Sequence, residues 1–133
     1  MIHYVDIGYF EREGDFIRFA RLPEGPGWRI VLRQPLDLRV VEQILQEMGC
    51  PFVTLKSIPG SWGVLWHPDG YLVCDKYTRH HAVIELAARV AERTGCDIAD
   101  RNTLSLLSPK ALRQTWAQQD EAVRAYKTGH STQ

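Results

Sequence analysis

The sequence predicts an α+β fold: a single domain with a mainly antiparallel sheet of about six strands and three packed helices. Short runs rich in β-branched and aromatic residues are separated by tight polar turns, which is typical of antiparallel strands. Two segments then change to helical spacing of their apolar residues, and a capped segment closes the chain. The length of 133 residues is the size of one domain.

The first third of the chain predicts three strands in a meander. Residues 2–10 and 15–22 are rich in Ile, Tyr, Val and Phe, and a polar turn separates them. A turn dense in Pro and Gly at 23–27 follows. In the third strand, 28–33, alternation puts Trp28, Ile30 and Leu32 on one face.

The next segment predicts a helix with signals at both ends. Leu38, Val41, Ile44 and other apolar residues up to Met48 follow helical spacing. Asp37 is a suitable N-cap, and Gly49 stands where a left-handed residue often ends a helix.

A second strand trio is expected at 52–58, 62–66 and 71–75, followed by a helix at 79–94 with Thr78 as its N-cap. The order βββα therefore occurs twice, offset by roughly 45 residues, a period worth checking for duplication. The two halves share no matching residues, so whether they are a true repeat stays open.

The end of the chain predicts a short strand around 96–99 and a last helix opened by Ser108 as N-cap and Pro109 as first residue. The domain is expected to span residues 1–127, with a disordered tail at 128–133. The predicted core residues are Val5, Ile7, Ile17, Phe19, Ile30, Leu32, Val41, Ile44, Leu45, Val53, Leu55, Val64, Val73, Leu86, Val90 and Trp116.

Charge and cysteine content exclude several classes of protein. Sixteen basic residues balance sixteen acidic ones, which argues against general nucleic-acid binding. The odd set of Cys50, Cys74 and Cys96 predicts reduced thiols rather than a disulfide framework. The first residues lack the pattern of a signal peptide, and no apolar run reaches the ~20 residues that span a bilayer. These features predict a cytoplasmic protein without membrane contact.

A basic cluster at the start of the 79–94 helix is the first candidate site. With Thr78 as the cap, Arg79, His80 and His81 form the first turn, where positive charge opposes the helix dipole. A bound phosphate or carboxylate, or an acidic side chain such as Asp75 or Asp100, would reverse that effect. Lys76 would add charge to such an anion site. The alternative is a solvated arginine beside neutral, packed histidines.

Two tryptophans form the second candidate site. Trp62 and Trp66 are four residues apart on one predicted strand and so share a face. The surrounding "PGSWG" places Trp62 at a predicted hairpin tip, where it could anchor a protein partner. The alternative is that the tryptophans supply bulk to the core.

Thiol, carboxylate and metal chemistry are further alternatives for the residues around this site. Cys74 lies near two histidines in sequence but inside an apolar strand, which favours a buried core thiol. Asp97 and Asp100 could form a catalytic carboxylate pair, although nothing in their spacing requires one. The residues of metal-binding type show no recognised pairing, so no metal or cofactor is expected; they are His67, Asp69, Asp75, His80, His81, Cys96, Asp97 and Asp100.

The sequence contains no Walker loop, Rossmann fingerprint, nucleophile elbow or HExxH motif. The layout of sheet, amphipathic helix and final capped helix resembles that of small bacterial immunity and accessory proteins, a resemblance of architecture that transfers no residues. The expected function is a small, non-catalytic, cytoplasmic protein-binding or accessory domain. The alternative is a small-molecule (anion or phosphate) binding protein or enzyme with its site at the start of the 79–94 helix. The sequence leaves catalysis and oligomeric state open.

Overall fold

The structure is a computed structural model that describes residues 3–23, 25–52 and 54–131, with the backbone alone for 127–131. It contains three helices in these residues. They are α1 (Leu38–Glu47), α2 (His81–Thr94) and α3 (Pro109–Ser131). The predicted caps of the first and last helices are confirmed, since Asp37 accepts the amide hydrogen of Arg39 and Ser108 accepts that of Ala111. α3 continues through Ser131, into the segment expected to be a tail, and residues 132 and 133 lie outside the described chain.

Ten strands occur in the described residues. They are β1 (Tyr4–Phe10), β2 (Arg12–Glu13), β3 (Phe16–Ile17), β4 (Phe19–Arg21), β5 (Trp28–Ile30), β6 (Leu32–Gln34), β7 (Val64–His67), β8 (Tyr71–Asp75), β9 (Asp97–Asp100) and β10 (Leu106–Leu107). Six of them form one antiparallel sheet in the order β10-β9-β1-β8-β7, with β6 paired to the end of β1. The predicted α+β fold is confirmed.

The central strand β1 is covered on both faces. Val5 and Ile7 lie in the core cluster beneath the helices, which includes residues of α1, α2 and α3. Phe10 belongs to a second cluster on the opposite face, under the β4–β5 hairpin. Asp6, which stands between Val5 and Ile7 in the sequence, is also fully buried. Because both faces are covered, β1 is buried continuously instead of alternating with solvent.

The predicted meander in the first third is wrong in its pairing. The predicted second and third strands are each divided, and the pieces form two small hairpins, β2–β3 and β4–β5, while β6 returns to β1. The divisions lie at Arg18 and Val31, whose amides donate to Glu11 and Arg18 carbonyls respectively. Those hydrogen bonds continue the pairing of the chain through an irregular stretch. The alternation of apolar residues did not show where the strands are divided.

The strand predicted at 52–58 is also wrong. Residues Leu55–Ser57 form a 3₁₀ turn, and Gly60–Trp62 form another. The Ser57 hydroxyl donates to the Thr54 carbonyl at 2.7 Å, which closes the first turn locally. Leu55 and Ile58 are both buried, a spacing of three that suits a turn rather than a strand.

Most predicted core residues are confirmed, including Val5, Ile7, Ile44 and Val90. The buried members of the predicted set are Val5, Ile7, Ile17, Ile30, Val41, Ile44, Leu45, Leu55, Val64, Val73, Leu86 and Val90. Phe19, Leu32 and Trp116 are half-buried and pack against the two clusters. Val53 lies outside the described residues. No helix among those described is both long and apolar enough to cross a membrane.

Candidate binding grooves

The loop before α2 differs from its sequence prediction. α2 begins at His81 with His80 as its N-cap residue, so Arg79 precedes the helix and the predicted basic first turn is wrong. Thr78 does not cap the helix as expected. Its hydroxyl donates to the Trp62 carbonyl at 2.6 Å and accepts the amide hydrogen of His80 at 3.2 Å. This local turn delays the start of the helix by two residues, from the predicted residue 79 to His81.

His80 before α2 and His81 at its start each contact a tryptophan. The rings of His80 and Trp62 stack at 4.0 Å with an interplanar angle of 4°. The His81 ring lies 5.0 Å from that of Trp116, whose indole N–H donates to the Thr78 carbonyl at 2.9 Å. The two imidazole rings therefore help to hold the loop and the start of α2 against Trp62 and Trp116.

Lys76 forms an ion pair with a buried carboxylate. Its Nζ lies 2.9 Å from Oδ2 of Asp100, whose side chain is 6% exposed. The other carboxylate oxygen accepts the amide hydrogens of Asn102 and Thr103 at 2.9 and 3.4 Å. Burial pushes the pKa of Asp100 upward, but the Lys76 bond and these amides outweigh it, so the net pKa is lowered. Lys76 thus stabilises the structure around β9.

Of the four predicted anion-binding residues, Lys76 is paired with Asp100, His80 and His81 contact tryptophan rings, and Arg79 has no such contact among the described residues. No described residue forms a hydrogen bond or ion pair with its side chain, and Asp75 instead accepts the Tyr77 amide hydrogen. Arg79 lines a groove of about 410 Å³ between the loop and α3, called here the α3 groove. Its lining residues are Tyr77, Thr78, Arg79, Trp116, Gln119, Asp120, Val123 and Arg124.

The two tryptophans predicted to bind a partner are half-buried. Trp62 is in a 3₁₀ turn rather than on a strand, and its ring sits between those of Phe52 and His80. Trp66 lies on β7 opposite Leu72 and packs against the core cluster under the helices. The two rings therefore do not share one strand face, and the predicted hairpin tip is wrong.

The exposed tryptophan is Trp28, at the edge of a second groove of about 570 Å³. Trp28 is 67% exposed, and neighbouring Leu22 is 38% exposed. This surface, called here the hairpin groove, lies between the β4–β5 hairpin and the sheet. Its lining residues are Phe19, Leu22, Trp28, Arg29, Ile30, His67, Asp69, Tyr71 and Arg101.

An ion pair between exposed Arg101 and fully buried Asp6 holds Arg101 in the lining of the hairpin groove. Arg101 donates to both carboxylate oxygens of Asp6, at 2.6 and 3.2 Å, and its guanidinium lies 4.8 Å from the centre of the Tyr4 ring. Burial raises the pKa of Asp6, and the bond from Arg101 offsets part of that rise. The carboxylate is fully buried, so its charge serves to position Arg101.

A second pair of rings lines the groove. His67 stacks on Tyr71 at 4.4 Å with an interplanar angle of 13°. The Nδ1 atom of His67 accepts the Asp69 amide hydrogen at 3.1 Å, which assigns the ring proton to Nε2 in the neutral form. The sequence reading placed His67 only among residues of metal-binding type. A Gly- and Pro-rich turn directly before Trp28 was the available signal for this groove.

The thiol and carboxylate candidates are buried and separated. Burial raises the pKa of the Cys74 thiol, which keeps it protonated at neutral pH. Asp97 and Asp100 lie opposite Gly8 and Val5 of β1, three positions apart, and so face opposite sides of the sheet. Asp97 pairs with Arg12, on the face away from the helices. Within the part of the chain described, no three His, Cys, Asp or Glu side chains are placed to hold a metal ion.

The chain has no significant match to any protein family model, curated protein or solved structure.

Proposed function

We propose that this protein is a non-catalytic binding domain that docks an extended segment of a protein partner in the hairpin groove. The exposure of Trp28 at the edge of a preformed groove is the observation that carries the proposal. Tryptophan, tyrosine and arginine are the residue types most enriched at the energetic centres of protein interfaces. Trp28, Tyr71 and Arg29 provide all three types here.

The apolar surface continues beyond the groove on the same sheet face. Leu65 of β7 pairs in register with Val73, which belongs to the core cluster under the hairpin, and Leu65 is 51% exposed. His67 follows two positions later on that face and lines the groove. An extended partner segment that follows β7 from His67 to Leu65 would cover both side chains.

The charges of the groove favour a partner segment with a carboxylate. Arg29 has no ion pair with any described residue, while Arg101 is already bonded to Asp6. Asp69 is the acidic member of the lining, and its carboxylate lies 3.7 Å from Nδ1 of His67. An aromatic or aliphatic side chain against Trp28, next to an acidic residue facing Arg29, would satisfy both features.

The buried titratable side chains on the two faces of the sheet favour binding over catalysis. Asp6 is fully buried, with both carboxylate oxygens bonded to Arg101, so neither is free to take a proton from a substrate. Cys74 is buried with a raised pKa, which removes it as a nucleophile. The three cysteines are free thiols, which supports the expected reducing, cytoplasmic setting.

Selection from a library of random displayed peptides tests this proposal directly. The wild-type domain should enrich peptides that combine an aromatic or aliphatic residue with Asp or Glu. Trp28→Ala should weaken the selected peptides at least about tenfold, because it removes the central apolar contact. Phe16→Ala is the matched control: Phe16 is 53% exposed but does not line the groove. Equal binding by wild type and Trp28→Ala would refute the proposed surface.

The alternative function, anion binding at the start of α2, is supported by one observation. Arg79 lines the α3 groove without an ion pair among the described residues, but Lys76, His80 and His81 have other contacts. Isothermal titration with inorganic phosphate tests it, with Arg79→Ala as the comparison. Heat of binding that disappears in Arg79→Ala would favour the alternative.

A further inference from the structure

The apolar stripe of α3 becomes exposed in the distal half of the helix. Leu112 is fully buried and Trp116 is half-buried, whereas Val123 on the same helical face is 50% exposed. Their spacing of four and seven residues aligns them along one side of the helix. All six residues at 121–126 are exposed, so this part of α3 projects beyond the packed domain.

The N-terminal half of α3 is bonded to α2, which fixes the direction in which the C-terminal half projects. The Arg113 guanidinium donates to the carboxylates of Glu85 and Glu92 on α2, with closest distances of 2.7 Å to each. Those bonds lower the pKa of both glutamates, so the network is ionised at neutral pH. A short helical extension in water is only marginally stable by itself, and packing against a partner would stabilise it.

The α3 groove carries charges of both signs. Arg79 is on the loop wall with no ion pair among the described residues, and Asp120 and Arg124 are on the helix wall, with exposed Glu121 next to Asp120. Asp120 forms only an exposed ion pair with Arg124 one turn later, at 3.1 Å. Such a pair is weak and can rearrange toward a new partner.

We propose that the α3 groove binds a second copy of this chain. The two α3 helices cross antiparallel about a two-fold axis, and Val123 of each copy packs into the groove of the other beside Trp116. Arg79 of each copy then faces Asp120 of the second copy. This proposal does not rest on the proposed function, because the α3 groove and the hairpin groove share no lining residue.

Self-complementarity is the reason to choose a second copy as the occupant. A two-fold interface requires one surface to contain both halves of each contact, and this surface has a protruding apolar residue, a groove, a cation and an anion. Equal numbers of basic and acidic residues leave two copies without net repulsion. Gln119 lies within the same stripe, and its Oε1 is covered without a hydrogen-bond donor among the described residues. A polar residue within such a stripe can fix the register of a helix pair.

Sedimentation velocity over about 1 to 200 µM protein tests the proposal. The wild type should show a concentration-dependent monomer–dimer equilibrium. Val123→Glu should weaken dimerisation at least about tenfold by placing a charge in the apolar centre. Ala125→Glu is the matched control, because it adds the same charge on the exposed, opposite side of the helix. Circular dichroism of both variants should match that of the wild type at about 1 µM protein, where dissociation of the wild type is greatest.

A charge-swap experiment separates contacts between copies from contacts within one copy. Arg79→Glu and Asp120→Lys should each weaken the homodimer, since each places like charges together at both two-fold-related contacts. Mixing the two variants should restore dimerisation, because both contacts in the heterodimer join opposite charges. Native mass spectrometry identifies the heterodimer after one variant is isotopically labelled.

Three results would overturn the inference. The first is a wild type that remains monomeric at the highest concentration. The second is a dimer that Val123→Glu leaves unchanged, which would place its interface elsewhere. The third is a monomer whose Arg79 binds inorganic phosphate, which would assign the groove to a small anion.

Discussion

Lys76→Ala is expected to destabilise the protein much more than Arg79→Ala, although both remove one positive charge from the same loop. Lys76 neutralises Asp100 at 2.9 Å, and the two side chains are 16% and 6% exposed respectively. Breaking a buried ion pair typically costs about 3–5 kcal/mol. Asn102 and Thr103 still donate amide hydrogens to Asp100, so we expect about 2–3 kcal/mol here.

The loss should depend on pH in a defined direction. The lowered pKa of Asp100 stabilises the wild type at neutral pH, and that contribution is lost as the pH falls through the folded-state pKa, below about 3.9. Removing Lys76 takes away a bond and a charge that lower the pKa of Asp100, so this pKa is higher in the variant than in the wild type. The difference between wild type and variant is therefore largest at pH 7 and shrinks in acid, where Asp100 becomes neutral in both.

Urea unfolding followed by tryptophan fluorescence measures both effects, at pH 7 and at about pH 3, where the contribution of Asp100 is being lost. Arg79→Ala is the control, because Arg79 has no ion pair among the described residues, and its free energy of unfolding should stay within about 0.5 kcal/mol of the wild type. The double variant Lys76→Ala/Asp100→Asn should recover part of the loss by removing the buried charge. A Lys76→Ala deficit below about 0.5 kcal/mol, or one that is equal at both pH values, would refute the reasoning.

Two further predictions concern backbone strain and thiol reactivity. Gly70 has φ of +103°, and a Cβ there would lie 2.5 Å from the Cβ of Pro35, so Gly70→Ala should lower the free energy of unfolding by at least about 2 kcal/mol. Gly60→Ala, which meets open space, should change a thermal melt little, and similar melts for both variants would contradict this account. In the native protein, iodoacetamide should label Cys50 first, because Cys74 is fully buried with a raised pKa. Labelling of Cys74 at the rate of Cys50 before unfolding would show that the strand is open to reagent.

The elements that the sequence predicted well depend on contacts between near neighbours. The helix beginning after Asp37 and the one beginning at Pro109 carry their own capping residues, and each cap bonds as expected. Helical hydrogen bonds join residues four apart, so the information that specifies them lies in a short window. The turn at Gly70 is local in the same sense.

Strand partners were harder to predict because they are far apart in the chain. β1 lies between β8 and β9, which follow it by more than sixty residues, and its burial on both faces results from that position. Alternation in 52–58 resembled a strand, but the Thr54–Ser57 hydrogen bonds close a turn there. Competition between a local side-chain bond and a distant strand is settled only when the sheet assembles.

The candidate sites show the same division most clearly. The sequence by itself determined the α+β class, the caps of α1 and α3, and most of the core. Only the tertiary structure decided that Lys76 meets Asp100 while Arg79 faces a groove, and that Trp62 is packed while Trp28 is exposed. Local patterns report the periodicity of the backbone, whereas the contacts and exposure of a side chain depend on segments brought together from distant parts of the chain.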